Sequence, residues 1–409
     1  MAVLEFMGRW TDERTRMDFD LTEEQGMFRD SVRGFAERHL RDGALARAHA
    51  DDYPWEIARL MAENGLLGIT VPEEQGGGGG KLMDAVIAIE QVAAVDPRSA
   101  DVVQAGNFGA IRVLAQFATS EQRQRYLEPL LTGDALISVA MTEPNAGSAV
   151  TELTTFAKPD GDGFRISGSK IFTTHGLHAA VFLVYVRYGS GVGNIGSVLI
   201  ERGAEGFTFG KPVRFLSGEA WNPLYFDNVY VPRENVLLGP GGFKKQIAGF
   251  NVERIGNTAR SLALGRYAFE AARELASNRR QFGRLLCEFQ GLQWKFAEMK
   301  IKLDAAQLLL YRAALNADKG FPSAEETAIA KAMCNRAGFE VASEAMQVMG
   351  GAGYSEDSLV EYCFRRTRGW MIAGGAVEVL LNRIAESVFD RKFPQNPPAE
   401  VRPTAQAAQ

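Results

Sequence analysis

The sequence predicts an α+β protein with an N-terminal helical domain, a central antiparallel β domain and a C-terminal domain resembling a four-helix bundle. Three observations predict it. Helical periodicity runs from Leu21 to Leu131, alternating and β-branched runs fill Asp134 to Leu238, and an apolar stripe at helical spacing follows the glycine cluster at Gly239 to Gly242. The 409 residues suit two or three domains at roughly 150 residues each, enough to bury a sizeable core.

Along the chain, residues 1–20 form an extension in which Glu5, Asp12 and Glu13 mix with Arg9, Arg14 and Arg16. That mixture suits neither a secretory signal nor an acid-poor transit peptide. Residues 21–133 read as helices broken at Asp42 to Pro54, at Val71 to Gly80 and at Asp96 to Arg98. The five glycines Gly76 to Gly80 read as a turn: a nucleotide loop needs a preceding strand and a following helix, and no Gly-Lys-Ser/Thr comes after them. In residues 134–240, the runs Phe164 to Phe172, Val181 to Arg187, Ser197 to Glu201 and Leu224 to Pro232 read as strands. Their spacing leaves no room for crossover helices, so the sheet is expected to be mainly antiparallel. Residues 241–392 return to helix, and Phe289, Leu292, Phe296, Met299, Leu303, Ala306 and Leu310 step by three and four along one face. Residues 393–409, with Pro394, Pro397, Pro398 and Pro403, show no periodicity and read as a loose tail.

Composition excludes several functions. Apolar residues make up 46% and charged residues 23%, with a net charge of −5, which removes the electrostatic case for nucleic acid, since phosphate binding needs clustered cations. The longest apolar run, Ala179 to Val186, has eight residues, far short of the about 20 that span a bilayer. Cys287, Cys334 and Cys363 lie far apart in helix-like stretches, giving neither a disulfide framework nor a metal-knuckle spacing. A reducing compartment, the cytoplasm, is therefore expected. His175 and His178 are three apart but lack a carboxylate or third ligand at matching spacing, so no metal is expected. No Gly-x-Ser-x-Gly occurs, so acyl transfer through serine has no support.

The first segment able to carry chemistry is AMTEPNAGSAV, Ala140 to Val150, a turn rich in hydroxyls and backbone N–H groups that suits a polar or anionic ligand. It is joined in order by SGSKIFTTHG (Ser167 to Gly176), FDNVYVPRENVLLG (Phe226 to Gly239), RRQFG (Arg279 to Gly283), QVMGGAGY (Gln347 to Tyr354) and IAGGAVEV (Ile372 to Val379). This ordered set resembles the acyl-CoA dehydrogenase family over about Asp18 to Asp390. The resemblance implies noncovalent FAD and a homotetramer or homodimer. It places Met141, Thr142 and Thr174 at the flavin ring, Phe172 packed against it in place of the frequent Trp, and Ser148 at the pyrophosphate. Arg279, Gln281, Phe282, Gln347 and Gly351 would hold the FAD of a neighbouring subunit. A flavin needs donors at the edge that gains electron density and an Arg against its diphosphate, and the residue types fit.

The implied reaction removes an α-proton from an acyl-CoA thioester while a β-hydride passes to the flavin, with an electron-transferring flavoprotein as acceptor. Where much of the family has Tyr-Glu-Gly-Thr, this chain has Ala373-Gly374-Gly375-Ala376, so the usual base is absent. Glu253, in GFNVERIGNTAR, matches the base position of the isovaleryl-CoA and long-chain type; alternatively Glu253 and Arg254 form only a helical salt bridge. A carboxylate buried beside an acyl chain should have a raised pKa. The backbone N–H at Gly374 is the implied donor to the thioester oxygen. Asn251 and Arg254 match positions near the CoA arm.

Arg98, in VDPRSADVVQ, resembles the glutaryl-CoA dehydrogenase Arg that binds a distal carboxylate, hinting at a glutaryl or substituted succinyl thioester; alternatively it is a surface residue at a helix start. Trp221 adds bulk where the family often has small polar residues. Two other functions stay open: a non-oxidative desulfinase of the sulfinopropionyl-CoA type on the same scaffold, and a flavin-binding interaction protein without turnover.

Overall fold

The computed structural model describes residues 20–319 and 321–393. The predicted extension 1–20 and tail 393–409 therefore lie outside the described residues apart from Asp20 and Phe393. The architecture is the predicted α+β one, with helices on either side of a central sheet in chain order.

The first helix, α1 (Glu23–His39), starts at a reciprocal cap in which Thr22 and Gln25 each accept from the other's backbone N–H at 3.2 Å. The stretch Asp42 to Pro54, read as a break, contains a helix, α2 (Ala44–His49), entered through Gly43 at φ 80°. Six residues are too few for an apolar period to show. After α3 (Trp55–Glu63), the segment Val71 to Gly80 is a loop around one 3-10 turn, as its glycines suggested. The helix α4 (Leu82–Ala93) is buried nearly all round and centres the N-terminal core. Two short helices, α5 (Ala100–Asn107) and α6 (Ala110–Phe117), then meet at Phe108 and Gly109. Short turns α7 (Ser120–Gln122) and α8 (Glu128–Leu131) lead into the sheet.

The sheet runs β10-β5-β4-β2-β3-β9-β6, with β1 beside β4. Its strands are β1 (Ile137–Ala140), β2 (Phe156–Asp160), β3 (Gly163–Lys170), β4 (Val181–Arg187), β5 (Ile195–Glu201), β6 (Phe207–Phe209), β9 (Leu224–Pro232) and β10 (Val236–Leu238); β7 (Val213–Arg214) and β8 (Ala220–Trp221) form a separate hairpin. Pairing is mainly antiparallel, but β1 and the first residue of β2 pair parallel with β4. The apolar run in β4 has a simple cause: Phe182, Val184 and Val186 face one core, while Val181 and Leu183 face a second one built with Ile111, Leu114 and Leu130. Sequence reading missed β1, which has four residues, and β2, whose Lys158 and Pro159 disguise it. It also ran β3 two residues too far, because Phe172 leaves the ladder at φ 56°. The register of β3 against β9 shifts at Gly168, where φ is 148° and a Cβ would lie 2.6 Å from Thr155 Oγ1, so only glycine fits this bulge.

Beyond the sheet, α9 (Phe243–Asn278), α10 (Gln290–Leu315) and α11 (Ala324–Met349) pack with α13 (Leu359–Trp370) and α14 (Val377–Val388), α12 (Gly351–Tyr354) being one turn between α11 and α13. Of the predicted α10 stripe, Met299, Leu303, Ala306 and Leu310 are buried, and Phe289, Leu292 and Phe296 at its start are partly covered. The helices α9 and α11 cross backbone to backbone: a Cβ on Gly265 would meet Gly338 Cα at 2.8 Å, and one on Gly338 would meet Ser261 O at 2.3 Å.

Candidate active site

The turn after β1 and the exit of β3 are laced together. Ile171 N donates to Thr142 O at 2.9 Å, Lys170 Nζ donates to Met141 O at 3.1 Å, and Ser138 Oγ donates to Thr174 O at 2.7 Å. The Glu143 carboxylate, buried within the turn, accepts from Lys170 Nζ at 2.8 Å and from the Thr154 and Thr155 N–H groups at 2.6 and 2.9 Å. Burial alone would raise its pKa, but Lys170 and these donors outweigh it and hold the group at about 2, so the pair is intact at neutral pH. Both residues lie in motifs of the sequence, yet nothing local signals a contact across 27 positions. Lys170→Met should strand the buried Glu143 charge and lower unfolding free energy by about 3–5 kcal/mol. Denaturant unfolding checks it, and faster flavin loss should accompany it.

These ties fix what the segment displays. Phe172 sits in left-handed backbone with its ring half exposed, 4.5 Å from Trp221 and 6.0 Å from Phe215 between centroids. Thr142 is partly exposed and Thr174 exposed, and among the described residues their hydroxyls make no hydrogen bond. Ser148 lies exposed on the turn, and Met141 is partly buried beneath it. A strained aromatic platform beside free hydroxyls fits a planar ring with polar edges. Met141, Thr142, Phe172 and Thr174 would hold the isoalloxazine, and Ser148 would reach the diphosphate.

Glu253 and Arg254 do not pair with each other. The Arg254 guanidinium donates to Gly374 O at 3.1 Å through Nε and to Asn251 Oδ1 at 2.9 Å through Nη1, while burial pushes its pKa down to about 10. Asn251 is buried and also donates to Pro322 O at 3.5 Å. Arg254 therefore ties α9 to the 370–376 turn, and Asn251 ties it to the segment before α11. Glu253 points the other way: its Oε1 accepts from Gln104 Nε2 at 2.5 Å. Desolvation by its surroundings raises its pKa to about 7, against the lowering effects of Gln104 and of Lys331, yet the side chain stays partly accessible. A crowded carboxylate with one open side has the proton affinity and the access that a general base needs.

Gly374, at φ 73°, offers a backbone N–H that no acceptor among the described residues takes. A Cβ there would lie 3.3 Å from Lys331 Cε. Lys331 is fully buried, donates to Trp370 O at 2.9 Å, and has its pKa pushed by burial down to about 7, with Arg254 adding to the fall and Glu253 opposing it. Asn335 donates to the same carbonyl at 2.6 Å and to Asn257 Oδ1 at 3.1 Å.

Arg98 is 5% exposed, so it is no surface residue. Its Nη1 lies 2.5 Å from Asp101 Oδ2 and 3.6 Å from Glu219 Oε1. Arg366 reaches Asp101 at 3.0 Å and also bonds Glu219, and Arg260 pairs with the other Asp101 oxygen. Both Arg260 and Arg366 stack on Trp370, at 4.4 and 5.1 Å. Three guanidiniums thus share two carboxylates in the interior, an excess of one positive charge. His175, partly buried with its ring 5.3 Å from that of Tyr53, is driven down to about 3 by desolvation first and by Arg98 and Arg366 after it; it is a neutral ring. Sequence reading missed Asp101, Gln104, Glu219, Arg260 and Arg366. One signal was present: Arg98, Asp101 and Gln104 recur every three residues, placing them on one face.

The remaining predicted cofactor residues stand apart from this site. Arg279, Gln281, Phe282, Gln347 and Gly351 are all exposed, Phe282 at the tip of the hairpin β11 (Arg280–Gln281) and β12 (Arg284–Leu285). Glu253 and Arg279 are separated by most of α9, roughly 39 Å along the helix axis.

Two helical domains around a sheet, with a half-exposed aromatic platform and a partly accessible carboxylate of raised proton affinity, suit a flavoenzyme scaffold. Family models described as the acyl-CoA dehydrogenase N-terminal, middle and C-terminal domains match residues 22–134, 138–229 and 240–389. A short-chain specific acyl-CoA dehydrogenase of Clostridium acetobutylicum is 34% identical over 91% of this chain and 100% of its own. A 3-sulfinopropanoyl-CoA desulfinase of Paraburkholderia xenovorans is 31% identical over 92% and 99%. The structure of a glutaryl-coenzyme A dehydrogenase in complex with glutaryl-CoA superposes with a TM-score of 0.87 at 27% identity, covering 92% of this chain and 98% of that one. The chain belongs to the acyl-CoA dehydrogenase family of oxidoreductases, whose cofactor is FAD.

Proposed function

We propose that this protein dehydrogenates an acyl-CoA thioester between Cα and Cβ, with Glu253 taking the α-proton. The observation that carries it is the Glu253 carboxylate, turned inward onto Gln104 and raised to about 7. FAD, when bound, supplies the acceptor for the electron pair leaving Cβ. The protein's part is to hold Glu253 partly ionised near neutrality and to keep the Gly374 N–H free for the thioester oxygen as charge develops there. Arg254, Lys331 and Asn335 brace the turn that carries this donor.

The excess positive charge among Arg98, Arg260 and Arg366 supports an acyl group with a distal anion, of the glutaryl or substituted succinyl type. Anaerobic flavin reduction by a panel of mono- and dicarboxylic acyl-CoA thioesters tests this. Dicarboxylic thioesters should react with kcat/KM at least tenfold above chain-length-matched monocarboxylic ones, and equal values would remove the distal anion from the reading. Desulfination is favoured only by the same cluster, since a sulfinate is also an anion; release of sulfite without flavin bleaching would establish it. A yellow protein bleached by no acyl-CoA would instead be an inert flavin binder.

Electrons are proposed to leave to an electron-transferring flavoprotein. The exposed Arg279, Gln281, Phe282, Gln347 and Gly351 support a homodimer or homotetramer in which each copy completes its neighbour's FAD site. FAD retention should then fall together with subunit dissociation on dilution.

A further inference from the structure

The carboxylate of Glu253 is gripped from the N-terminal domain. Gln104, on α5, donates from Nε2 to Glu253 Oε1 at 2.5 Å, and its own Oε1 accepts from Arg260 Nη1 at 2.9 Å. Arg260 has donors only, so the amide oxygen must face it and the amide N–H must face Glu253; the orientation follows from the chemistry of both neighbours. The second Glu253 oxygen rests against Gly109 at the start of α6, where φ is 66° and a Cβ would lie 2.6 Å from Oε2. Among the described residues, no donor reaches Oε2.

We propose that Gln104 is a positioning residue for the base: it pins Oε1 of Glu253, is itself oriented by Arg260, and leaves Oε2 as the oxygen that receives the proton. This rests on the reading of Glu253 as base. The charged groups around the carboxylate come from each packed element. Lys331 approaches from α11, Arg254 and Arg260 lie on α9 itself, and Asp101 stands on α5 behind Arg260. Arg112 of α6 is turned away onto Thr70 O. Of these neighbours only Gln104 donates a hydrogen bond to Glu253, so its loss should favour the protonated acid.

The test is pH-difference infrared spectroscopy on the purified FAD-loaded protein, with the carboxyl band of Glu253 identified by its disappearance in Glu253→Gln. In Gln104→Met, which keeps length and removes the donor, the titration midpoint should rise by at least about one pH unit, a tenfold fall in the ratio of ionised to protonated base. Circular dichroism and flavin content should be unchanged. Gln104→Asn, with an amide that falls short, should give a smaller rise and serves if Gln104→Met does not fold. An unmoved midpoint in whichever variant folds overturns the proposal. Undiminished flavin reduction by Glu253→Gln would instead remove the base itself, a separate result that leaves the midpoint measurement standing.

Discussion

Glu253→Gln should slow substrate-driven flavin reduction by a factor on the order of 10² to 10⁴ while FAD stays bound, because a positioned base supplies about that much of the rate. Stopped-flow bleaching under anaerobic conditions measures it, and a rate within tenfold of the unaltered protein would refute the assignment. The pH profile gives a second reading. Since the ionised form of Glu253 accepts the proton, the reduction rate should rise with pH through about 7 in the unaltered protein, and this limb should vanish in the variant. Stability should move the opposite way. The folded chain holds the Glu253 proton more tightly than the unfolded chain, so this group's contribution is full below the ordinary Glu range and is lost as pH climbs through about 7. The uncharged Gln escapes that loss, and Glu253→Gln should melt higher than the unaltered protein above pH 7.

Asp101→Asn should be strongly destabilising. Asp101 is 1% exposed and contacts Arg98, Arg260 and Arg366, so the substitution keeps its shape and doubles the excess of buried positive charge from one unit to two. Removing one side of such a cluster costs about 3–5 kcal/mol. Urea unfolding measures it, and the double variant Arg98→Met with Asp101→Asn should recover part of the loss because the charge excess returns to one. A single variant within about 1 kcal/mol of the unaltered protein would show that water or relaxation screens the cluster.

How much of this was legible in the sequence follows from the range of each signal. Long helices such as α9 and α10 and the two-sided strand β4 declare themselves through apolar period or run length. The glycines Gly374 and Gly375 in IAGGAVEV and the Glu253 of GFNVERIGNTAR were readable because each sits inside a short motif. The partners of Glu253 were not. Gln104 lies 149 residues away and Arg260 meets it only through the packing of α5 on α9. Yet polar residues do keep helical steps inside largely buried helices: Glu253, Asn257 and Arg260 on α9, and Lys331 and Asn335 on α11. Such a polar stripe marks a shared interior site without saying which stripes meet. Arg98 shows the limit most plainly. Its residue type suggested an anion, and the anions it meets in the structure belong to this chain, Asp101 and Glu219.

The glycine crossing of α9 and α11 also bears on how such a protein can diverge. With Gly265 against Gly338 and Gly338 against Ser261, neither helix can slide or rotate without collision, so Glu253 and Lys331 keep a constant spacing whatever thioester arrives. Adaptation to a new acyl group would then fall to less tightly locked parts such as α5 and α6, which meet Glu253 through Gln104 and Gly109. On the proposed reading of Glu253, changes in those parts would retune the acyl group accepted while α9 and α11 stay locked together.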